Sequence, residues 1–519
     1  MQITRRTFVK NSFYLASALG LPRISYANTN SLSLDFQLSV DNASPLQMLT
    51  AWQANPGFTG DDDMSGHNIF WDKRGFIKKM GGIPAVSAQY DAILAGGGFS
   101  GLSTAYHLLG KNTLLLDGHK YFGGNAKSEG FGGAFMAVGS AYIIKPEPDS
   151  DIQKMINTIG LKDLFRSEPG EDFTVILKDR VVPAFWQGGT DSKNRDEFQR
   201  VFTKLLEIYE NSYPEIPLWK ESALPRSEFD ALDLMSFPDW VEQILDSTHP
   251  HIIEFFHQYC WSAFGAGYSD ISAAQALNFI CADLGGIQTL PGGNGMLAQH
   301  IYQHLKKKGV AMNSLCFVVD VKATNGGVEV CYYSETQKKL FTVRAKKCVI
   351  AAPKYVAKHM VDDLSVAQKS AMNSISYRAY LVTNVLLDRK ITSPGYDFYS
   401  LMDEIPRREQ QDIQKRVYTD ITFANWANFD QGEKSALTLY MPLPYQGSNQ
   451  HLFYPKAREK YEGLARERLQ TFLPELGLSD ANVVGVRMTR YGHAMPVAWI
   501  GSIASGLAEK SHGNSFWII

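Results

Sequence analysis

One short segment, from Tyr90 to Gly101, constrains the fold of this chain more than any other feature. The apolar run Tyr90–Ala95 is typical of a buried parallel strand, and it leads directly into the sequence GGGFSG. Leu102–Leu109 then has helical patterning, and Thr113–Leu116 is a second apolar run that ends at Asp117. Strand, glycine turn, helix, second strand and terminal acid, in this order, predict a dinucleotide-binding β-α-β unit.

Each residue type in this unit has a physical role. Gly96 allows the tight turn, Gly98 lets the backbone approach a pyrophosphate, and Gly101 lets helix and strand pack closely. Asp117 would accept hydrogen bonds from the ribose hydroxyls and repel a 2'-phosphate, which argues against NADP. The phosphates would lie where free N–H groups at the helix start favour negative charge, beside Phe99 and Ser100.

A second glycine pair follows the acid and selects the cofactor. The stretch LLDGHKYFGGNAKS, residues 115–128, adds another turn without side chains. Here the chain resembles the FAD-dependent amine oxidase and phytoene desaturase superfamily, and within it the exported bacterial flavoproteins of spermidine-dehydrogenase type. The resemblance implies FAD as cofactor, because a dehydrogenase that uses only NAD does not need the second turn. The cofactor-binding residues that it implies in this stretch are Gly118, Gly123, Gly124, Asn125 and Lys127.

Further landmarks along the chain fit the same superfamily. Leu290–Met296 resembles its mid-chain PGG segment, and the later strands are matched by residues 317–321, 327–330 and 348–353. By resemblance, the first of these strands offers backbone groups to the adenine near Val319. The implied fold is α/β, with a Rossmann-like FAD-binding domain interleaved with an α+β substrate domain.

The resemblance also predicts how the chain divides into domains. We expect the FAD-binding domain to comprise residues 85–145, 286–355 and 482–519. The substrate domain would comprise residues 146–285 and 356–481, with helical patterning at 196–213, 232–245 and 252–264. Strand-like runs at 380–387 and 436–441 and a charged helix at 455–472 belong to its second piece. Residues 28–84 would form an N-terminal extension.

Three departures from the superfamily pattern bear on function. Asn125 replaces the usual arginine after the glycine doublet, so a cationic phosphate contact would come from Lys127. The segment 377–381 lacks the lysine that many amine oxidases place near the flavin. Gly513–Ile519 stands where the closing strand, acidic glycine turn and helix of the family would begin, which predicts a truncated chain that retains FAD weakly.

The first 27 residues predict export of a folded protein. Thr4–Lys10 resembles the twin-arginine consensus, a short apolar run follows, and Ser25-Tyr26-Ala27 offers a cleavage site. We therefore expect the twin-arginine export machinery as a partner and the periplasm as the location. No other segment is apolar and long enough to span a membrane.

Composition excludes several other classes of protein. The formal net charge of -2 argues against nucleic acid as a main partner. The five cysteines have no metal-like spacing, so we predict no metal site.

Candidate catalytic residues lie shortly before the C-terminal segment. In the stretch RYGHAMP, His493 could orient substrate or move a proton, Tyr491 could form a wall of the cavity, and Arg490 adjoins them. A packed turn with a buried core histidine explains the same pattern equally well. Trp261, Tyr399 and Trp426 are further candidate walls, although aromatic residues usually belong to the core. Acids between residues 221 and 239 could steer a polyamine, but a solvated helix face explains them more simply.

These observations lead to one main functional hypothesis and two alternatives. The main hypothesis is oxidation of a small amine or polyamine by hydride transfer to the flavin, followed by hydrolysis of the imine. Electrons would then pass to a periplasmic acceptor, either a quinone or cytochrome, or to oxygen. The alternatives are a desaturase or isomerase of an apolar, lipid-like substrate, and a truncated flavoprotein without activity.

Overall fold

The computed structural model describes residues 40–49, 57–62, 66–170, 173–216, 222–246, 249–401, 417–511 and 517–518. The predicted signal, residues 1–27, lies outside this part of the chain. None of the helices within these ranges is both long and apolar enough to cross a lipid bilayer.

The strand that precedes the glycine motif lies in the middle of a seven-stranded sheet, here called the nucleotide-binding sheet. Val86–Ala95 pairs in parallel with Thr113–Leu116 and with Lys339–Ile350, so both predicted strands of the β-α-β unit are confirmed. Trp517–Ile518 pairs in parallel with the end of Lys339–Ile350. The spatial order of the other six strands is Ala311–Asn313, Thr113–Leu116, Val86–Ala95, Lys339–Ile350, Gly327–Ser334 and Cys316–Thr324.

A second, eight-stranded sheet carries buried tyrosines on one face and is here called the tyrosine sheet. Tyr399 pairs with Asp420, Asp420 with Tyr440, and Tyr380 with Tyr491, so that these side chains share a face. The strand predicted at 380–387 spans Tyr377–Leu387, and that at 436–441 spans Ser435–Leu443. The strands in spatial order are Arg180–Val182, Val175–Leu177, Asp397–Leu401, Asp420–Phe423, Ser435–Leu443, Tyr377–Leu387, Val483–Pro496 and Thr59–Gly60.

Two three-stranded sheets and the helices complete the fold. The sheets, in spatial order, contain Leu46–Leu49, Ser128–Phe131 and Ala134–Ala137, and Tyr142–Ile144, Ile287–Thr289 and Arg166–Glu168. The longer helices are Lys73–Lys79, Phe99–His107, Asp151–Thr158, Arg195–Asn211, Arg226–Leu234, Pro250–Phe264, Ala273–Leu284, Asn294–Lys307, Lys354–Met360, Val366–Ser374 and Ala457–Phe472. Short helices are His67–Phe70, Phe237–Trp240, Ala424–Ala427, Ser448–His451 and Leu507–Lys510, with a π-helix at Val241–Leu245. Short 3₁₀ turns are Lys162–Leu164, Phe185–Gln187, Ser192–Asn194, Tyr268–Asp270, Leu473–Leu476 and Asp480–Asn482.

The helical patterning predicted for 232–245 is interrupted in the structure. The first helix ends at Leu234, and Ser236 begins a new one by accepting a hydrogen bond from the Asp239 N–H through its side chain. A single helix here was therefore wrong, because the serine cap and the adjacent Pro238 favour a new start over continuation.

The architecture confirms the predicted α/β fold class. A largely parallel sheet with a Rossmann-like unit is combined with a mainly antiparallel sheet covered by helices. The strand Val483–Pro496 belongs to the tyrosine sheet. The division into interleaved domains stays a prediction.

Candidate active site

The two glycine turns predicted from the sequence lie against each other. The Gly123 N–H donates a 2.7 Å hydrogen bond to the Gly97 carbonyl, and Gly98 forms a parallel bridge with Gly123. A Cβ atom added to Gly124 would lie only 3.1 Å from the Gly98 Cα. The turns therefore border one crevice rather than opposite sides of the molecule.

Glycine is required at both ends of the first turn. Gly96 has φ +118°, and a Cβ there would lie 2.3 Å from the Ala351 carbonyl oxygen. A Cβ on Gly101 would lie 1.8 Å from the Gly96 carbonyl oxygen. The close packing of helix and strand expected from the motif is therefore present.

The start of the following helix has unsatisfied donors. Helix Phe99–His107 begins after Gly98, which offers no side-chain cap. Within the described residues, the Ser100 and Gly101 N–H groups have no hydrogen-bond acceptor. Free N–H groups and the helix dipole make this end suited to a phosphate.

Asp117 lies at the end of the second strand and is ionised. The Gly97 N–H donates to its Oδ2 at 2.6 Å, and the His119 N–H donates to its Oδ1 at 2.7 Å. Burial raises the pKa of Asp117, but hydrogen bonding and the charge of His119 outweigh burial and lower this pKa overall. Each carboxylate oxygen has a second lone pair, so the group can still accept from ribose hydroxyls.

The other predicted cofactor residues surround the same crevice. Asn125 is exposed, and its carbonyl accepts a 3.0 Å hydrogen bond from the Ser140 N–H. Lys127 has no ion pair with any described residue, and burial lowers the pKa of its ammonium group. A Cβ on Gly118 would lie 2.7 Å from the Phe317 ring, which brings the strand Cys316–Thr324 beside the acid.

Val319 occupies an irregular position in that strand. The register of the strand shifts between Val318 and Asp320, which makes Val319 the extra residue of a bulge. A bulged residue is left out of the regular ladder, so its backbone groups are available to another partner. Its side chain is fully buried. Its role at the adenine stays a prediction.

The three candidate catalytic residues have different surroundings in the structure. Arg490 donates to the carbonyls of Asp61 and Leu452 and lies 4.0 Å from the Phe453 ring, so its contacts are structural. Tyr491 is buried, and its hydroxyl donates a 2.6 Å hydrogen bond to the Val138 carbonyl.

His493 has a more open setting. Its ring stacks on Tyr355 at 4.4 Å, and burial lowers the pKa of the imidazole, so it is neutral at pH 7. Tyr355 follows closely on Ala351, whose carbonyl packs against Gly96. Of the three candidates, His493 is therefore the one that combines a position near the glycine turns with a ring that is not fully buried.

Sequence reasoning missed a set of buried carboxyl groups on the tyrosine sheet. Asp397 and Asp420 are 8% and 3% exposed, and their carboxyl groups are within hydrogen-bond reach of each other. The sequence carries a signal for them, because aspartate is disfavoured in strands and both residues interrupt apolar, aromatic runs. Tyr399, a candidate wall, lies on the same face. Trp261 is buried in helix Pro250–Phe264.

Trp426 and Arg378 lie at two further positions of interest. Trp426, another candidate wall, lies under the Arg166 guanidinium at 4.0 Å. Arg378 stands in the segment where the lysine was sought, and its Nε is buried without a hydrogen-bond partner among the described residues.

Two touching glycine turns, a helix start with free N–H groups and an ionised acid define a dinucleotide-binding flavoprotein. Residues 99–494 match the flavin containing amine oxidoreductase family, and the chain belongs to this family. Its cofactor is FAD, and the crevice fits it, because glycine at positions 98 and 124 keeps the place where the turns meet free of side chains.

Similar proteins share the fold over most of their length. The chain is 21% identical to the oxidoreductase PigB of Serratia sp., over 82% of this chain and 70% of PigB. A putrescine oxidase bound to putrescine has a TM-score of 0.58 at 14% identity, covering 83% of this chain and 93% of that one. A fatty acid isomerase from P. acnes that produces CLA has a TM-score of 0.60 at 13% identity, covering 84% and 94%. The predicted superfamily is thus confirmed, and so is the prediction that the protein is an FAD-dependent oxidoreductase.

Proposed function

We propose that this chain oxidises an amine or polyamine at a carbon next to nitrogen. FAD, when bound, supplies the acceptor for the hydride, that is, for one proton and two electrons. The substrate loses a hydride from carbon and a proton from nitrogen, and a carbon–nitrogen double bond forms. Water then converts the imine to a carbonyl compound and a released amine.

One observation carries this proposal: the segment after the glycine doublet is fixed to the tyrosine sheet. The Tyr440 and Tyr491 hydroxyls donate to the carbonyls of Gly139 and Val138, at 2.8 and 2.6 Å. A Cβ on Gly139 would lie 1.8 Å from the Asn125 carbonyl oxygen, so this segment also touches the doublet. An aromatic surface therefore begins directly beside the crevice that fits FAD.

The charges on that surface favour an amine over a fatty acid. Asp420 is buried on the same face as Tyr440, and above its pKa of about 6 it would repel a substrate carboxylate. An amine in its neutral form can approach a neutral His493, which leaves the nitrogen lone pair free for the developing double bond.

The test is an anaerobic titration of the purified, FAD-loaded protein, followed by the visible absorbance of oxidised flavin. Spermidine, putrescine and a simple alkylamine should each be tried, with a fatty acid in parallel. Bleaching by at least one amine, with formation of an aldehyde, is the expected result. Bleaching by the fatty acid alone would replace this proposal with a desaturase.

We also propose that the protein is exported folded to the periplasm and passes its electrons to a quinone, a cytochrome or oxygen. The twin arginines at Arg5 and Arg6 support export. Arg5→Lys together with Arg6→Lys should retain the protein in the cytoplasm, as measured by cell fractionation, and unchanged periplasmic recovery would refute the proposal.

A further inference from the structure

Three carboxyl groups from distant parts of the chain meet on the tyrosine-bearing face of the tyrosine sheet. Asp397 and Asp420 lie on neighbouring strands of the tyrosine sheet, and Asp283, in the last turn of helix Ala273–Leu284, lies close to Asp397. The Tyr259 hydroxyl donates to the Asp283 Oδ2 at 2.5 Å, and the Thr419 hydroxyl donates to the Asp420 Oδ1 at 2.5 Å. We call Asp283, Asp397 and Asp420 the carboxyl cluster.

Two polar atoms in this cluster lack a partner. The Asp397 Oδ1 is buried and makes no hydrogen bond within the described part of the chain. The Tyr399 hydroxyl also makes no hydrogen bond with a described residue, although Tyr399 is only 3% exposed. Asp397, Asp420 and Asp283 are the carboxyl groups near this hydroxyl. Because an unsatisfied buried acceptor is costly, such atoms indicate a missing partner.

No described cation neutralises the cluster. Among the described residues, no lysine, arginine or histidine forms an ion pair with Asp283, Asp397 or Asp420. Glu168 adds negative charge next to Asp397. The other titratable groups that face the cluster are hydroxyls, namely those of Tyr142, Tyr259, Tyr399, Tyr380, Tyr396 and Tyr440.

We propose that the carboxyl cluster binds a second ammonium group of the substrate, remote from the nitrogen that is oxidised, and so selects diamines and polyamines. This inference rests on the proposed amine oxidation. An ammonium group offers three donors, which match the free Asp397 Oδ1, the Tyr399 hydroxyl oxygen and a second carboxylate.

The cluster lies within reach of a substrate placed at the FAD crevice. Tyr142, whose hydroxyl lies 3.4 Å from the Asp283 Oδ2, comes three residues after Gly139, which touches the Asn125 carbonyl. Three extended residues span about 10 Å. The separation is at most this length, so a linear diamine or polyamine can reach both ends, whereas a monoamine cannot.

Binding should exchange protons for the ammonium group. Burial raises the pKa of Asp283 to about 7 and that of Asp420 to about 6, and burial together with the charge of Asp420 raises that of Asp397. Below pH 6 these groups are largely protonated and attract a cation weakly. An arriving ammonium favours the ionised form, so the affinity for a diamine should rise between pH 6 and pH 8 with release of protons.

The experiment compares putrescine with butylamine, which has the same carbon chain and one ammonium group. Binding to the FAD-loaded full chain is measured by calorimetry at pH 6 and pH 8, in two buffers of different ionisation enthalpy. The wild type should bind putrescine at least about 10-fold more tightly than butylamine at pH 8, as expected for charged hydrogen bonds. Proton release should accompany putrescine binding alone.

Variants locate the effect. Asp397→Asn and Asp420→Asn keep the side-chain shape and should abolish the preference for putrescine over butylamine. Tyr399→Phe, which removes only a hydroxyl, should reduce the preference about 3- to 10-fold. Glu433→Gln, at an exposed position before the strand Ser435–Leu443, is the matched control and should change nothing.

The outcomes separate this inference from the proposed function. Equal binding of the two amines in the wild type, with flavin bleaching by both, overturns the cluster as an ammonium site but leaves amine oxidation intact. Selective, proton-linked binding of putrescine without bleaching supports the cluster and removes the oxidation. A preference that survives both aspartate variants also overturns the inference.

Discussion

The amide of Gly123 donates a 2.7 Å hydrogen bond to the carbonyl of Gly97, and this bond joins the two glycine turns of the FAD crevice. Asp117 belongs to the same arrangement, since its Oδ2 accepts the Gly97 N–H at 2.6 Å. The carbonyl and the N–H of one residue, Gly97, are thereby held by the second turn and by the acid. The crevice is preorganised by the backbone, with little dependence on flexible side chains.

Gly98→Ala should impair FAD binding without unfolding the protein. The new Cβ would lie 3.6 Å from the Gly124 Cα, an ordinary contact, and φ is −72°, which alanine adopts easily. The methyl group would stand where the backbone should approach the pyrophosphate, so we expect the FAD dissociation constant to rise about 10-fold or more. Fluorescence titration of the apoprotein with FAD measures this change.

The control for that variant is Gly463→Ala, the same substitution at an exposed helical glycine with no atom within 4 Å of the new Cβ. It should leave FAD affinity unchanged and stabilise the helix by about 0.5–1 kcal/mol. Equal FAD affinity in both variants would show that Gly98 does not border the pyrophosphate.

Local sequence signals sufficed for the crevice. The strand, the glycine turn, the helix and the second strand follow each other within one short stretch, so apolar runs and glycine spacing predicted Val86–Ala95, Phe99–His107 and Thr113–Leu116 closely. The contact between the two turns was also predictable, because the second doublet comes directly after the acid that ends Thr113–Leu116.

The carboxyl cluster could not be assembled in the same way. Asp283 lies at the end of a helix, and Asp397 and Asp420 lie on two strands whose pairing places them on one face. That proximity depends on register between segments far apart in the chain, which periodicity alone does not set. The contacts of Arg490 were missed for a related reason, since they involve Phe58 and Asp61 in the N-terminal extension.

Arg487→Met should strongly destabilise the protein. Both Arg487 and Glu129 are less than 10% exposed and form a bidentate ion pair that joins the tyrosine sheet to the strand after the glycine doublet. Burial raises the pKa of Glu129 even with this arginine beside it. Removing the guanidinium leaves a buried carboxyl group unpaired, at a cost of about 3–5 kcal/mol in denaturant unfolding.

Replacing both partners should restore much of that loss. In the double variant Glu129→Gln with Arg487→Met no buried charge remains, so its free energy of unfolding should exceed that of Arg487→Met alone. A double variant as unstable as the single one would mean that packing of the arginine, and not its charge, stabilises the contact.

Asp283→Asn should stabilise the ligand-free protein increasingly as the pH rises from 4 to 7, and in full above pH 7. The folded-state pKa of Asp283 is raised to about 7 from an unfolded value near 3.8, so the folded state holds a proton that the unfolded state releases. Stability is therefore lost as pH rises from 4 to 7, and the cost is complete above pH 7. Asparagine has no such cost and still accepts from Tyr259.

Thermal melts at pH 4 and pH 8 measure the difference. A tenfold change in proton affinity corresponds to about 1.4 kcal/mol, so the variant should gain about 2–4 kcal/mol at pH 8 and little at pH 4. Glu433→Gln, which removes an exposed carboxylate, should show no gain at either pH. A loss of stability at pH 8 would show that Asp283 is ionised and paired in the folded protein.

His493→Gln should lower turnover while leaving FAD binding unchanged. His493 stacks on Tyr355 near the glycine turns, and burial lowers the pKa of its imidazole below the usual 6.5. The neutral ring can orient an amine or accept a proton at pH 7 and loses this ability when protonated, so kcat/KM of the wild type should fall on an acid limb below pH 6.5. Glutamine cannot take up the proton, and loss of a positioned base costs about 100-fold or more in kcat.

The variant should also lack the acid limb, whereas His359→Gln, at an exposed position, should keep both turnover and limb. Retention of the limb in His493→Gln would assign it to another group and leave His493 as a packed ring beside Tyr355.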